Sequence, residues 1–264
     1  MPRFNANLSM MFTEVPFLDR FGAAARAGFK GVEFLFPYEF AAEQIREQLD
    51  RHGLEMVLFN MPPGDFAAGD RGLACDPARV TEFQDGVGRA LEYARVLGAT
   101  RLHVMAGLRP RGVNDATMRE TYLSSLRFAG AACAGAGITI LIEAINSRDI
   151  PGFYLNTSAQ AFDVMHYSAV PNLRFQYDIY HMQIMEGDLA PTIERNLDRI
   201  GHMQLADTPG RHEPGTGEIH YDFLFGHIDR IGYPGWIGCE YRPAGRTEDG
   251  LAWMRRWSGQ PDGD

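Results

Sequence analysis

Cysteine is scarce in this chain, which has three in 264 residues, at widely separated positions. Cys75, Cys133 and Cys239 form no Cys-x-x-Cys pair, so their spacing fits neither a zinc site nor a disulfide framework. The opening Met-Pro-Arg-Phe-Asn also lacks the basic stretch and the long apolar core of a signal peptide. We therefore expect free thiols in a reducing compartment, and a cytoplasmic protein.

Long apolar runs and dense positive charge are also missing. No run approaches the roughly 20 apolar residues that are needed to cross a membrane. Acidic residues outnumber basic ones by 34 to 25, which gives a formal net charge of −9. Because nucleic acids bind to concentrated positive charge, we expect neither a nucleic acid nor a membrane as a partner.

Short apolar runs alternate along the chain with patterns of helical spacing. The predicted strands cover residues 3–8, 31–36, 54–60, 101–105, 138–143, 173–178, 201–205 and 236–239. The predicted helices cover residues 16–27, 41–52, 77–97, 115–136, 157–169, 188–199, 221–231 and 247–257. Eight strand–helix units in 264 residues are typical of one α/β barrel.

The alternation of strand and helix predicts a parallel sheet with right-handed crossovers. An open, doubly wound sheet is the alternative, but its Gly-x-Gly-x-x-Gly turn is absent after the first strand. We therefore predict a single (β/α)8 TIM barrel over residues 1–258, followed by a disordered tail at 259–264. The long loop at 61–76, rich in Pro, Gly and Asp, is a candidate lid.

Polar side chains end the fifth to the eighth strands of this predicted barrel. They are Glu143, Asp178, Gln204 and Glu240. Each could be a chance polar residue, but the carboxyl ends of barrel strands converge on one mouth, where the four would meet. Three carboxylates repel one another unless a cation lies among them. Oxygen ligands favour Mg²⁺ or Mn²⁺ over Zn²⁺, so the pattern predicts a divalent metal site.

Several segments of the chain resemble the hydroxypyruvate isomerase family, a branch of the xylose-isomerase-like barrel superfamily. They are residues 2–14, 31–38, 103–107, 201–221 and 231–243. The resemblance implies that Glu143 and Glu240 are the paired proton donor and acceptor. It also implies that these two glutamates bind the metal together with Asp178 and Gln204. The motifs fit the closely similar 2-oxo-tetronate isomerases equally well.

Five further residues are predicted to contact the substrate, namely His181, Arg211, Arg148, His103 and Glu33. His181 resembles a substrate-oxygen ligand of the related ketose epimerases, although it could instead cap a helix. The two arginines follow strands five and seven and suit a substrate carboxylate, which Arg binds through two parallel hydrogen bonds, although either could be solvated. His103 and Glu33 face the mouth if the strands alternate regularly, and are otherwise hydrogen-bonded core residues.

These residues predict a metal-assisted isomerase of a small hydroxy or oxo acid. The expected reaction converts hydroxypyruvate to 2-hydroxy-3-oxopropanoate through an enediolate, with the two glutamates exchanging protons with the substrate. A 2-oxo-tetronate isomerase and a ketose 3-epimerase are alternatives that use the same glutamates. A metal-dependent nuclease and a non-catalytic sugar-binding barrel fit the acidic charge and the converging acids less well. The expected partner is the small acid, and the sequence is compatible with a homo-oligomer.

Overall fold

A computed structural model describes residues 1–257. Eight parallel strands close into a barrel in the order of the sequence, so that the first strand pairs with the last. They are β1 (Arg3–Asn7), β2 (Gly31–Phe34), β3 (Glu55–Asn60), β4 (Arg101–His103), β5 (Thr139–Glu143), β6 (Leu173–Asp178), β7 (Ile200–Leu205) and β8 (Trp236–Cys239). The predicted (β/α)8 barrel is confirmed, while the predicted tail at 259–264 lies outside the described residues.

Helices follow the strands and cover the outside of the barrel. They are α1 (Phe17–Arg26), α2 (Ala42–His52), α3 (Val80–Leu97), α4 (Asp115–Ala134), α5 (Ser158–Ser168), α6 (Ile179–Met185), α7 (Leu189–Arg195), α8 (Tyr221–Arg230) and α9 (Ala252–Arg255). The apolar faces of the strands and helices form one large buried cluster between the barrel and the surrounding helices. In the described part of the chain, none of the helices has the length and apolarity of a membrane span.

The structure corrects the predicted helices at four places, since the helix predicted at 188–199 ends at Arg195 and a 3-10 turn, Leu197–Arg199, follows it. α3 begins at Val80, three residues later than predicted, and α6 was not predicted at all. The last predicted helix, 247–257, is a 3-10 turn followed by the short α9. Thr247 Oγ1, at the start of this turn, accepts a hydrogen bond of 2.7 Å from the backbone N–H of Phe12, which ties the turn to the loop after β1.

The segment 61–76 is a loop, as predicted, and hydrogen bonds fix it to its neighbours. Asp70 accepts from the backbone N–H of Asp65 at 2.7 Å and from the guanidinium of Arg79 at 2.6 Å. The backbone N–H of Cys75 donates to the carbonyl of Ala106 at 2.8 Å, next to the end of β4. Its role as a lid stays a prediction.

The inside of the barrel is polar as well as apolar. A small apolar cluster, separate from the main one, contains Val57, Leu58, Leu141 and Trp236. Buried polar side chains also point from the strands, namely Asn5, Asn7, Glu33, His103, Gln176, His202 and Gln204. Buried polar groups require hydrogen-bond partners, and most of these side chains find them in one another. They lie directly below the carboxyl ends of the strands.

Candidate active site

Acidic side chains from β5, β6 and β8 meet at the carboxyl end of the barrel. Glu143 and Asp178 are the last residues of their strands, and Glu240 directly follows β8. His181 joins them from α6, whose first turn is capped by Asp178 Oδ1, with a distance of 2.7 Å to the backbone N–H of Tyr180. One ligand atom from each of these four side chains lies within 4.8 Å of the others.

This carboxylate cluster of Glu143, Asp178, His181 and Glu240 can hold a metal ion. Two of its oxygens, Glu143 Oε1 and Asp178 Oδ2, are buried without a hydrogen-bond partner among the described residues. An unpartnered buried carboxylate oxygen is costly, and a cation would relieve that cost. Carboxylate oxygens are the ligands preferred by hard divalent cations, so the donor set fits the predicted kind of metal.

Burial and mutual repulsion shift the pKa values of the three acids upward. Burial raises the pKa of Glu143 well above its ordinary value, and the nearby Glu240 and Asp178 raise it further. Burial raises the pKa of Glu240 to about 8, against the opposing charge of Arg211. Burial also raises the pKa of Asp178, although Arg211 and two backbone N–H donors oppose it. A binding cation therefore has protons to displace.

Arg211 brings positive charge into the cluster. Its Nη2 donates to Glu240 Oε2 at 2.6 Å and lies 3.8 Å from Asp178 Oδ2. Its Nη1 lies 3.6 Å from Asp149 Oδ2, and the guanidinium carbon lies 5.0 Å from the ring centre of Tyr180. Its side chain keeps 16% of its surface exposed. Of the two arginines predicted from the sequence, Arg211 is thus the one that the fold brings into the cluster.

The loop that carries Arg211 is held by one buried carboxylate. Asp207 accepts hydrogen bonds of 2.9 to 3.1 Å from the backbone N–H groups of Thr208, Gly215, Gly217 and Ile219. Gly217 is required there because a Cβ atom would lie 2.0 Å from the carbonyl oxygen of Thr208. Arg211 itself has a left-handed backbone, with φ of 55°. The shape of the loop is therefore defined by its own backbone hydrogen bonds.

Asn146 orients the ring of His181. The backbone N–H and the side-chain amide of Asn146 both face His181 Nδ1, at 3.4 and 2.7 Å. Backbone N–H groups of 148–149 donate to Asn146 Oδ1, which fixes the direction of the amide. Nδ1 is therefore an acceptor, and the ring proton lies on Nε2, 3.5 Å from Asp178 Oδ2 and 3.7 Å from Glu143 Oε1. Burial lowers the pKa of His181 well below its ordinary value, so the ring is neutral.

The other predicted substrate contacts differ in their positions. His103 Nδ1 lies 3.7 Å from Glu143 Oε2, and burial lowers its pKa to about 3. Neither ring nitrogen of His103 has a hydrogen-bond partner within residues 1–257. Arg148 is exposed at the rim, where its backbone N–H donates to Asn146. His103 is thus beside the cluster, whereas Arg148 is outside it.

Glu33 and Gln204 lie below the cluster, inside the barrel. Gln204 Nε2 donates to Glu33 Oε1 at 2.8 Å and to Glu240 Oε1 at 3.2 Å. Gln204 Oε1 accepts from Gln176 Nε2 at 2.7 Å. The role of Gln204 as a metal ligand stays a prediction. Burial alone would raise the pKa of Glu33, but the charge of His202 and several hydrogen bonds outweigh it and lower that pKa.

Asn146 and His202 were not among the residues selected from the sequence. His202 lies two residues before Gln204 on β7, so strand alternation puts both on the inner face and could have identified it. Asn146 lies in the irregular segment after β5, where no periodic pattern marks a residue that faces the site.

Comparison with known proteins places the chain among relatives of nearly the same length. A 2-oxo-tetronate isomerase of Cupriavidus necator is 53% identical over 98% of this chain and 100% of its own. A hydroxypyruvate isomerase of Escherichia coli is 49% identical over 96% of this chain and 98% of its own. A crystal structure from Brucella melitensis, described as AP endonuclease, family 2, has a TM-score of 0.95 at 48% identity, covering 97% of this chain and 99% of its own.

These findings confirm the resemblance seen in the sequence. The two curated relatives are named isomerases, which confirms the prediction of an isomerase-type enzyme. Residues 21–257 match the family described as xylose isomerase-like TIM barrel. The chain therefore belongs to the xylose isomerase-like TIM barrel family.

Proposed function

We propose that this enzyme interconverts hydroxypyruvate and 2-hydroxy-3-oxopropanoate, or makes the same shift on a four-carbon 2-oxo acid. The observation that carries the proposal is the meeting of two buried glutamates, Glu143 and Glu240, with the cationic Arg211 at one barrel mouth. The glutamates suit proton transfer, and the arginine suits an acidic substrate. The names of the two curated relatives support the same substrate class.

Glu143, Asp178 and Glu240 would hold the metal ion, for which we propose Mg²⁺ or Mn²⁺. We propose Gln204 as the fourth ligand, through its Oε1, which also accepts a hydrogen bond from Gln176. The unpartnered oxygens of Glu143 and Asp178 support this assignment. When bound, the ion would stabilise negative charge that develops on the substrate oxygens.

The two glutamates would carry the hydrogen between carbon atoms. In the forward direction, one carboxylate removes a proton from C3 of hydroxypyruvate, and the other carboxyl group delivers a proton to C2. The hydroxyl proton moves in the same sense, from the oxygen on C3 to the oxygen on C2. The pKa of Glu240, raised to about 8, suits this exchange, because a group that titrates near neutrality can both accept and donate a proton, and the pKa of Glu143 is raised in the same direction.

Arg211 would bind the substrate carboxylate. Its guanidinium is partly exposed and offers five N–H donors, of which Glu240 occupies one at 2.6 Å. A bidentate contact with a carboxylate remains open to the other donors. Arg148, exposed at the rim, is the weaker candidate for the same contact.

His181 and His103 would donate to substrate oxygens as neutral imidazoles. The proton on His181 Nε2, set by Asn146, makes this atom a donor toward the cluster. A metal ligand needs a free electron pair at the same atom, so the tautomer supports a substrate contact over ligation. His103 has two nitrogens without a partner among the described residues and lies next to Glu143, which supports a similar role.

Two other reactions are less well supported. A ketose 3-epimerase would use the same two glutamates, but a neutral sugar offers no carboxylate to Arg211. A nuclease, as in the description of the Brucella melitensis structure, requires a basic surface for the phosphate backbone, whereas this chain has a net charge of −9. Within residues 1–257 the carboxylate cluster is also the one group of three or more Asp, Glu, His or Cys side chains that could hold a metal ion. The three cysteines are buried free thiols, which supports a cytoplasmic location.

A turnover screen tests the proposal directly. Purified enzyme would be supplied with Mg²⁺ or Mn²⁺ and assayed with hydroxypyruvate, a 2-oxo-tetronate and free ketoses, with products identified by mass and by proton NMR. We expect isomerisation of at least one acid and no epimerisation of the ketoses. Epimerisation of a ketose without reaction of either acid would replace the proposal with the epimerase alternative.

A further inference from the structure

A second buried carboxylate lies beneath the carboxylate cluster. Glu33, in β2, is 1% exposed and accepts hydrogen bonds from four side chains of β1 and β7. The donors are Asn5 Nδ2 at 2.8 Å, Asn7 Nδ2 at 3.1 Å, His202 Nε2 at 2.7 Å and Gln204 Nε2 at 2.8 Å. A carboxylate that accepts four such bonds compensates for much of its loss of hydration. All four donors are themselves buried side chains of the barrel strands.

The barrel leaves space for this carboxylate at a position on β8. A Cβ atom added to Gly238 would lie 2.3 Å from Glu33 Oε1 and 2.4 Å from Glu33 Oε2. These distances are far shorter than any van der Waals contact, so no side chain can share this space with Glu33. The missing side chain on β8 is therefore what lets Glu33 reach the centre of the barrel.

Two amide groups connect Glu33 to Glu240. Asn7 Nδ2 donates to Glu33 Oε1 and to Glu240 Oε1, at 3.1 Å in both cases. Gln204 Nε2 donates to the same two oxygens, at 2.8 and 3.2 Å. Each NH₂ group thus donates one proton to Glu33 and the other to Glu240. The two carboxylates are bridged by a pair of amides that have the same orientation.

The chemical nature of Glu33 determines this orientation. An ionised carboxylate only accepts hydrogen bonds, so an amide that touches it must present its NH₂ end. With both NH₂ ends facing Glu33, they also face Glu240 Oε1 and hold that oxygen in place. Glu240 Oε2 is left on the side of Arg211 and the cluster. A neutral amide at position 33 would give no such preference, because it can present either a donor or an acceptor.

We propose that Glu33 is a positioning residue for proton transfer by Glu240, acting through the amides of Asn7 and Gln204. The inference rests on the proposed function, in which Glu240 exchanges a proton with the substrate. Glu33 does not itself contact the reacting atoms. It aligns the carboxylate that does, because the amides hold one oxygen of Glu240 and the other oxygen is left facing Arg211 and the cluster.

Glu33→Gln is the direct test, because it keeps the shape of the side chain and introduces a donor among four donors. The new NH₂ group then faces either the two bridging amides or Asn5 and His202, so the side chain at 33 no longer enforces the amide orientation that aligns Glu240. We expect kcat to fall about 10- to 100-fold while KM changes less than about threefold, since the substrate contacts remain. Glu33→Asp, which keeps the charge but not the reach, serves as a second variant. Glu55→Gln is the control, because this half-exposed carboxylate contacts Trp236 and Arg3 and neither of the bridging amides.

A double-mutant cycle separates positioning from a merely structural role. Glu33→Gln or Glu33→Asp is combined with Glu240→Gln, and kcat is compared at saturating Mg²⁺. If Glu33 acts through Glu240, its replacement should change kcat less than about threefold in the Glu240→Gln background. Equal losses in both backgrounds would overturn the inference while leaving the proposed function intact. Wild-type enzyme that isomerises neither acid would overturn the proposed function and the inference with it.

Discussion

Arg211 and Glu240 form an ion pair at the mouth of the barrel, with 2.6 Å between Nη2 and Oε2. The other oxygen of Glu240 accepts from two amides, so both oxygens of this carboxylate have donors. Glu143 differs, because its Oε1 is buried without a hydrogen-bond partner in the described part of the chain. The two glutamates therefore differ in their hydrogen-bond partners, although the proposed proton transfer uses both.

Glu240→Gln keeps the size of the side chain and one ligating oxygen but removes the ability to accept a proton. We expect kcat to fall about 10²- to 10⁴-fold, the usual contribution of a positioned acid or base. Mn²⁺ binding, measured by calorimetry, should weaken but persist because the other acids remain. Glu143→Gln should behave similarly, and the double variant should lose far less than the product of both losses. A metal-loaded Glu240→Gln enzyme within a few-fold of wild type would leave Glu240 as a ligand only.

Arg211→Met should raise KM for hydroxypyruvate or a 2-oxo-tetronate. The loss of a charge-assisted contact costs about 1.5–3 kcal/mol, so kcat/KM should fall about ten- to over one hundred-fold. Arg148→Met, which removes an exposed arginine at the rim, is the matched control and should stay within about twofold. The opposite ranking of the two variants in steady-state kinetics would move the carboxylate contact to Arg148.

His181→Gln and Asp178→Asn should have different effects on metal and on turnover. Since the proton of His181 lies on Nε2, we expect His181→Gln to bind Mn²⁺ within about threefold of wild type and to lose kcat/KM about 10- to 100-fold. Asp178→Asn removes a ligand charge and should weaken Mn²⁺ more than tenfold. Calorimetric titration of the two variants decides this, and equal weakening would make His181 a metal ligand.

The metal-free protein should lose stability as pH rises toward 8. The pKa of Glu240 is raised to about 8, and the pKa values of Glu143 and Asp178 are also raised. Free carboxyl groups ionise near pH 4, so above that pH the folded protein holds more protons than the unfolded chain until the folded pKa is passed. The free energy of unfolding then falls by about 1.4 kcal/mol per pH unit for each extra proton held.

Urea denaturation at pH 5, 6, 7 and 8 measures this effect, with chelator in one series and Mg²⁺ in the other. The series with Mg²⁺ should gain stability most at pH 8, because cation binding replaces the protons of the acids. In the chelator series, Glu240→Gln should show a smaller slope between pH 5 and 8. Below about pH 6.5 the lowered pKa values of His103 and His181 act in the opposite direction, because the unfolded chain then holds more protons on these two rings. Stability of the metal-free wild type that is constant or increases between pH 7 and 8 would therefore contradict the pKa assignments.

The strands and their acidic ends could be predicted from the sequence for a physical reason. A parallel strand covered on both faces is almost entirely apolar, as in Ile-Leu-Ile before Glu143, so a polar residue at its end is conspicuous. The order of strands in the barrel then follows from their order in the chain. The convergence of Glu143, Asp178 and Glu240 needed no further information.

The surroundings of His181 and Glu33 could not be predicted in the same way. α6 has seven residues, too few to show a helical period, and it starts at once after the last residue of β6. The donors to Glu33 lie 26 to 171 residues away and meet it only when the barrel closes. No local pattern encodes such distant partners, and the space left by Gly238 is visible only in three dimensions.

Glu33 and Gly238 occupy one shared volume, and this couples their substitution. Gly238→Ala alone would push a methyl group into the carboxylate, at 2.3 Å from Glu33 Oε1. The same substitution should be tolerated better when position 33 already carries a smaller residue. We therefore expect the two positions to change together during evolution. A smaller residue should replace Glu33 first, and a side chain should replace Gly238 afterwards. A homologue with a larger residue at the position of Gly238 would have to position its counterpart of Glu240 through different buried side chains.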